Sequence, residues 1–196
     1  MTGVVGGRRP GRPRSVECDR AILEAALVEY AERGFDGLNV DAVAARAGVS
    51  KATIYRRYPS KVELVIAAGY AVAEEVAPKP DTGSLRSDLL SAYQNLARLL
   101  NMEVLGRAVR QVVADSLRHA DLAAMHEEML RERRQGTIDA LDRAKRRGEL
   151  RRDLDVELAA DMLAGPLFYR HIISHMPIDD HYVEQVVETF LRAEAR

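Results

Sequence analysis

Apolar residues recur along this chain at intervals of three and four, and nowhere do they alternate with polar ones over a strand's length. That period belongs to helices, so the pattern predicts an all-α fold. Ile22, Ala25, Ala26 and Tyr30 share one face of a first helix. Ser15 fits its N-cap, with Glu17 and Asp19 near the positive end of the helix dipole. Gly34 is placed to stop this helix in a left-handed cap, with Phe35 folding back onto it. Asn39 predicts the cap of a second, short helix carrying Val43, Ala44 and Ala47, which Gly48 ends. Ser50 caps a third helix running to about Tyr58. After Pro59, Ser60 and Glu63 form an S-x-x-E capping box that opens a fourth helix.

The prolines divide the remainder. They stand at 10, 13, 59, 78, 80, 166 and 177, and none lies between Asp81 and Gly165. Pro78 and Pro80, with Asp81 to Ser84, read as a linker. Beyond it the pattern predicts helices over roughly 85–100, 104–118, 121–147, 155–175 and 180–195, with ends good to about 2–4 residues. Asp121, Asp155 and Asp179 or Asp180 are the expected starts, Gly148 is an expected stop, and Pro166 should kink the helix that contains it. No internal repeat is visible.

Composition narrows the class. The chain has 196 residues, 47% hydrophobic and 30% charged, enough apolar material for a core. No run approaches the roughly 20 apolar residues that cross a bilayer. The N-terminus has charges but no apolar stretch after them, unlike a secretory signal. One cysteine, Cys18, excludes an internal disulfide and a cysteine-based metal cage. A soluble, cytoplasmic protein is the simplest expectation. The net charge of -1 argues at first against a nucleic-acid ligand, yet it conceals an asymmetry. Residues 1–61 carry 11 bases against 7 acids, net +4, and the rest carries 18 against 23, net -5. One end is suited to anions and the other is not.

Asn39 to Tyr58 has the layout of a helix-turn-helix: VDAVAARA, the turn Gly48-Val49-Ser50, then KATIYRRY. Two helices meeting steeply need a tight turn, which Gly48 permits. Val43, Val49 and Ile54 can form the wedge between them. Lys51, Ala52, Thr53, Tyr55, Arg56 and Arg57 are then left facing outward. Such a face suits the DNA major groove: lysine donates to guanine edges, the Ala and Thr methyls meet thymine methyls, and Tyr and Arg hold phosphates.

The segment AILEAALVEYAERGFDGLNVDAVAARAGVSKATIYRRYPSKVELVIAA, residues 21–68, resembles the TetR family of bacterial transcriptional regulators. The resemblance implies that Lys51, Ala52, Thr53 and Tyr55 read bases, and that Arg57 and Lys61 contact phosphate. Tyr58 stands where many members have Phe. Asp41 stands where several have a basic or neutral group, and reads as a helix-start charge. The resemblance also implies a homodimer on a near-palindromic operator, a helical domain that binds a small-molecule effector, and repression relieved by that effector. On this reading the chain divides into a basic flexible arm, 1–15, a three-helix DNA-binding domain, 16–76, and a helical bundle for ligand binding and dimerisation, 77–196.

The arm contains Pro10-Gly11-Arg12-Pro13-Arg14, which looks like an AT-hook core. Arg12 and Arg14 would lie in a narrow minor groove, whose negative potential attracts arginine. A plain basic tail adding nonspecific affinity is the alternative. In the body, the apolar segments DVELAADMLAGPLFYRHIISHM and VEQVVETFLRA predict two helices paired with their copies in a four-helix bundle. Met102, Met125, Met129, Phe168 and Tyr169 are candidate pocket residues, since methionines and aromatics line adaptable apolar sites, although for any single one of them a core role is preferred.

His171 and His175 have the four-residue spacing of a metal pair, but Ile-Ile-Ser between them lacks a zinc hydrolase's Glu, and His181 lies across the Pro177 turn. Core or interface histidines are preferred, and no metal or cofactor is expected. His119 and His126 are expected at the surface. Arg143, Lys145, Arg146 and Arg147 suit the negative end of a long helix better than a second nucleic-acid patch. No nucleophile elbow, phosphate loop or metal signature supports an enzyme. An architectural DNA-binding protein would leave the large body without a task.

Overall fold

The computed structural model describes residues 13–76 and 80–194, with side chains from residue 16 to 71 and from 80 to 194. Among the described residues nine α-helices follow one another: α1 Pro13–Gly37, α2 Val40–Ala47, α3 Lys51–Arg57, α4 Lys61–Val76, α5 Leu85–Asn101, α6 Glu103–Ser116, α7 Ala120–Arg147, α8 Val156–Phe168 and α9 Asp180–Glu194. A π-helical turn, Tyr169–Ser174, prolongs α8. No strand forms among the described residues, and the all-α expectation holds.

Local chemistry explains most boundaries. Asn39 Oδ1 accepts from the Asp41 amide at 2.8 Å, Ser50 Oγ from Thr53 at 3.2 Å, and Asp155 Oδ1 from Glu157 at 3.0 Å. Each satisfies an amide that the first turn leaves open. Gly48 takes the left-handed conformation, φ 67°, that the turn between α2 and α3 requires. Three expectations change. The first helix starts at Pro13, whose missing N–H suits a first helical position, so Ser15 lies inside it. Gly34 breaks the helical backbone (φ 66°, ψ −175°), but one further turn to Gly37 follows it. His119 precedes α7 without a side-chain cap, so Asp121 is a first-turn charge and not the cap.

Two buried clusters hold the helices. One gathers Ile22, Ala26, Val43, Ile54 and Leu64 from α1–α4, and is completed by Ala108 of α6 and by Leu122 and Met125 of α7. The other packs α5 and α7–α9 around Leu89, Leu141, Leu163, Leu167, Val183 and Val187. Fully burying a side chain such as Ile54 contributes roughly 1.5–3 kcal/mol. The first cluster therefore draws on both halves of the chain.

A polar joint reinforces that seam. Asp115 near the end of α6 is wholly buried and accepts the Phe35 amide at 2.9 Å and Arg118 Nη2 at 2.6 Å. The Tyr30 hydroxyl is held neutral, its pKa raised by burial first and by Asp115 second. Phe35 packs at the cluster's edge, with its ring 4.6 Å from that of His119. His119 and His126 are both half-buried, less open than expected.

Pro166 lies within α8, and the chain passes into the π-helical turn three residues later. Loss of one backbone donor and a widened turn go together. The turn directs His171 inward, where Nε2 lies 2.8 Å from the Gly106 carbonyl oxygen, while His175 ends the turn at the surface with φ 52°. A side chain at Gly106 would strike the Leu100 carbonyl and stand 3.0 Å from His171 Cε1. Only glycine lets the α5–α6 corner meet the π-helical turn. The basic end of α7 secures loops: Lys145 donates to Leu154 O at 2.7 Å, Arg143 to Pro80 O at 3.0 Å, and Arg147 pairs with Glu149.

Candidate nucleic-acid interface and body cavity

α3 buries Ile54 completely and packs the partly buried Val49 against the same core. The opposite face therefore points to solvent. Lys51, Ala52, Tyr55 and Arg56 are exposed there, and Thr53 is half-buried with its hydroxyl 2.9 Å from Ser50 Oγ. The α3 side chains named from sequence thus stand together on an open surface, apart from the half-buried Arg57.

Three of the cations are already engaged. Lys51 Nζ lies 2.9 Å from Asp41 Oδ2, and this bond raises its pKa. Arg57 pairs with Asp19 of α1. Lys61 Nζ donates to the Asp36 carbonyl at 3.1 Å and sits 4.7 Å from the centre of the Phe35 ring. Exposed pairs of this kind are weak, and a phosphate or a guanine edge competes with them readily. They hold the side chains against the neighbouring helices. Sequence reasoning did not find these partners. Asp41 and Lys51 open α2 and α3, and only the crossing of those helices brings them together. Arg12 lies outside the described residues, as does the side chain of Arg14.

In the body a cavity of about 400 Å³ opens between α5, α7 and α8. Leu89, Tyr93, Arg133, Thr137, Ala164 and Phe168 are on its wall. Of the five pocket candidates, Phe168 alone lines it. Met102 and Tyr169 are exposed on the outside, at 55% and 59%. Met125 belongs to the core shared by α1–α4, and Met129 packs against that core. Of the three methionine candidates, two were core or packed against it and one was exposed. Among the described residues no group of three or more His, Cys, Asp or Glu is gathered as a metal would require.

A short helix pair with an outward basic face, joined to a larger helical body that holds a cavity, defines a DNA-binding regulator of the helix-turn-helix class. Residues 22–68 match the family model "Bacterial regulatory proteins, tetR family", and residues 79–190 match "Tetracyclin repressor-like, C-terminal domain". The "Uncharacterized HTH-type transcriptional regulator YdeS" of Bacillus subtilis (strain 168) is 35% identical over 178 residues, 90% of this chain and 89% of that one. The "DNA-binding transcriptional repressor TetR" of Mycobacteroides abscessus is 32% identical over 177 residues, 87% of this chain and 90% of its own. The crystal structure of the TetR family transcription regulator SCO0332 superposes with a TM-score of 0.70 at 29% identity, covering 90% of this chain and 97% of that one. The chain belongs to the TetR family and is a transcriptional regulator with a DNA-binding helix-turn-helix. No helix among the described residues is long and apolar enough to cross a membrane.

Proposed function

We propose that the protein is a homodimeric repressor that leaves its operator when a small molecule occupies the body cavity. The observation that carries this reading is an apolar stripe left exposed among the described residues. Leu158, Met162, Tyr169, Ile173 and Met176 follow α8 and the π-helical turn, each between 50% and 64% exposed. An open stripe of that length calls for a second protein surface, and a second copy of α8 and α9 offers a matching one. The two copies then present two α3 helices to successive major grooves, about 34–36 Å apart, on a near-palindromic site.

In this reading residues 16–76 form the DNA-binding head, 77–196 the sensor and dimer body, and 1–15 a basic arm that follows the adjacent minor groove. Repression is supported by the repressor of Mycobacteroides abscessus. Coupling has two routes from the cavity to the head. α7 carries Met125, whose Sδ lies 3.3 Å from where a Cβ on Gly69 of α4 would be. α6 carries Asp115, bonded to Phe35 beyond α1's break. An effector that prefers a different spacing of these helices weakens operator binding by linkage. Selection from a random duplex pool should return an inverted repeat, and sedimentation should give a dimer. Unselective binding overturns the proposal. So does an operator affinity that stays equal with and without a bound effector.

A further inference from the structure

We infer that the body cavity takes an amphiphilic anion, an apolar body bearing one carboxylate, with Arg133 as its counter-charge. The inference rests on the reading of residues 77–196 as an effector domain.

Two adjacent arginines make the case by contrast. Arg134 is saturated: it pairs with Glu157, and its Nε and Nη2 donate to Asp161 at 2.8 and 3.0 Å. Arg133 also borders the cavity, is half-buried, and has no carboxylate partner among the described residues. Burial lowers its pKa, with no acid nearby to offset it. A guanidinium stays protonated even so. Of the remaining acids on the wall, none is paired with Arg133, although Asp88 Oδ2 is buried without a hydrogen bond. Asp161 belongs to Arg134. Asp88 accepts Thr82 at 2.7 Å and faces Arg143 at 3.8 Å. Glu132 is exposed to solvent. An apolar cavity with one uncompensated, partly desolvated cation is costly when empty and is matched by a ligand anion.

The surroundings of Arg133 fit a carboxylate. Thr137 lies one turn further along α7, so the two side chains share a face. The Thr137 hydroxyl is 3.2 Å from that of Tyr93. Burial pushes the Tyr93 phenol up to about 12, so it stays a neutral donor. One wall thus holds a cation and two hydroxyls, and Leu89, Leu96, Ala164 and Phe168 offer the ligand apolar surface. A volume of about 400 Å³ admits a small ligand and not a large conjugate.

The test is calorimetry on the full-length protein with two matched pairs, 2-naphthylacetate against 2-naphthylacetamide and decanoate against decanamide. The acid of at least one pair should bind about tenfold or more tightly than its amide, the usual worth of a charge-assisted bond. Arg133→Met should bring that acid down to its amide and leave the amide unchanged. Arg133→Lys should keep most of the preference, which separates lost charge from damaged packing. Ala164→Trp, which fills the cavity, should abolish both. Equal binding of acid and amide to the unaltered protein overturns the anion while leaving the effector reading in place. Preference that survives Arg133→Met, or no binding by any of the four, overturns the inference. Binding that survives Ala164→Trp overturns it too, and removes this cavity as the effector site.

Discussion

Lys51 and Asp41 are ten residues apart in sequence and 2.9 Å apart in space. The lysine proposed to read bases is thus held by an acid of the preceding helix, and a guanine edge would have to displace that acid. Lys51→Ala and Thr53→Ala should each change base preference at inner half-site positions by roughly tenfold while leaving thermal stability nearly unchanged. Pool selection with each variant checks this, and an unaltered consensus removes their reading role. A second residue speaks through pH. His171 has its pKa lowered by burial first; the hydrogen bond to the Gly106 carbonyl opposes this, and Arg110 and His175 add smaller lowering effects. The folded protein therefore takes up the proton less readily than the unfolded chain does. Stability is intact above the ordinary histidine value of about 6.5 and is lost as the pH falls below it. Melting curves between about pH 7.5 and 5 should show this loss. His171→Gln should reduce it, and His126, also lowered by burial, should account for part of the remainder. Which α3 side chains face outward was legible in the sequence, because one short amphipathic turn decides it. Their tethers were not, because Asp19 and Asp41 reach them from other helices.

At the scale of elements, the helices were legible because their ends carry local chemistry. Asn39, Ser50 and Asp155 cap as a short side-chain oxygen must, and Gly148 closes α7 in the left-handed region at φ 80°. What the periodicity could not disclose was the change of helix type after Pro166. A proline announces a disturbed backbone but not whether the helix bends, stops or widens. The choice was made by packing, which directs His171 toward the α5–α6 corner. Gly106→Ala tests that joint. Its new methyl group meets backbone on one side and an imidazole on the other, so the cost should be about 3 kcal/mol or more. Chemical denaturation measures it directly, and a neutral result means that the corner has room to open. The cavity was illegible for the same reason as the π-helical turn. It is bounded by three helices, and the sequence marks no residue as facing a space that only their assembly creates.

For the whole molecule, the stripe along α8 is the surface proposed to join two copies. Ile173→Glu places a charge at a position 64% exposed in one chain. It should barely affect folding but should convert dimers to monomers and weaken operator binding by a hundredfold or more in sedimentation and binding assays. If the variant remains dimeric, the contact between copies lies elsewhere. Charge also operates at this scale. The net +4 of residues 1–61 and the net -5 of the remainder orient the molecule, with the head drawn to the duplex and the body repelled. The seam between them has a different kind of consequence. Because Ala108, Leu122 and Met125 complete the core around Ile22 and Ile54, the head is not an interchangeable cartridge. A chimaera that grafts residues 16–76 onto a foreign sensor exposes unmatched apolar surface at the graft. New combinations of operator and effector, built in the laboratory or reached by recombination, succeed only where both sides of that join are exchanged as a set.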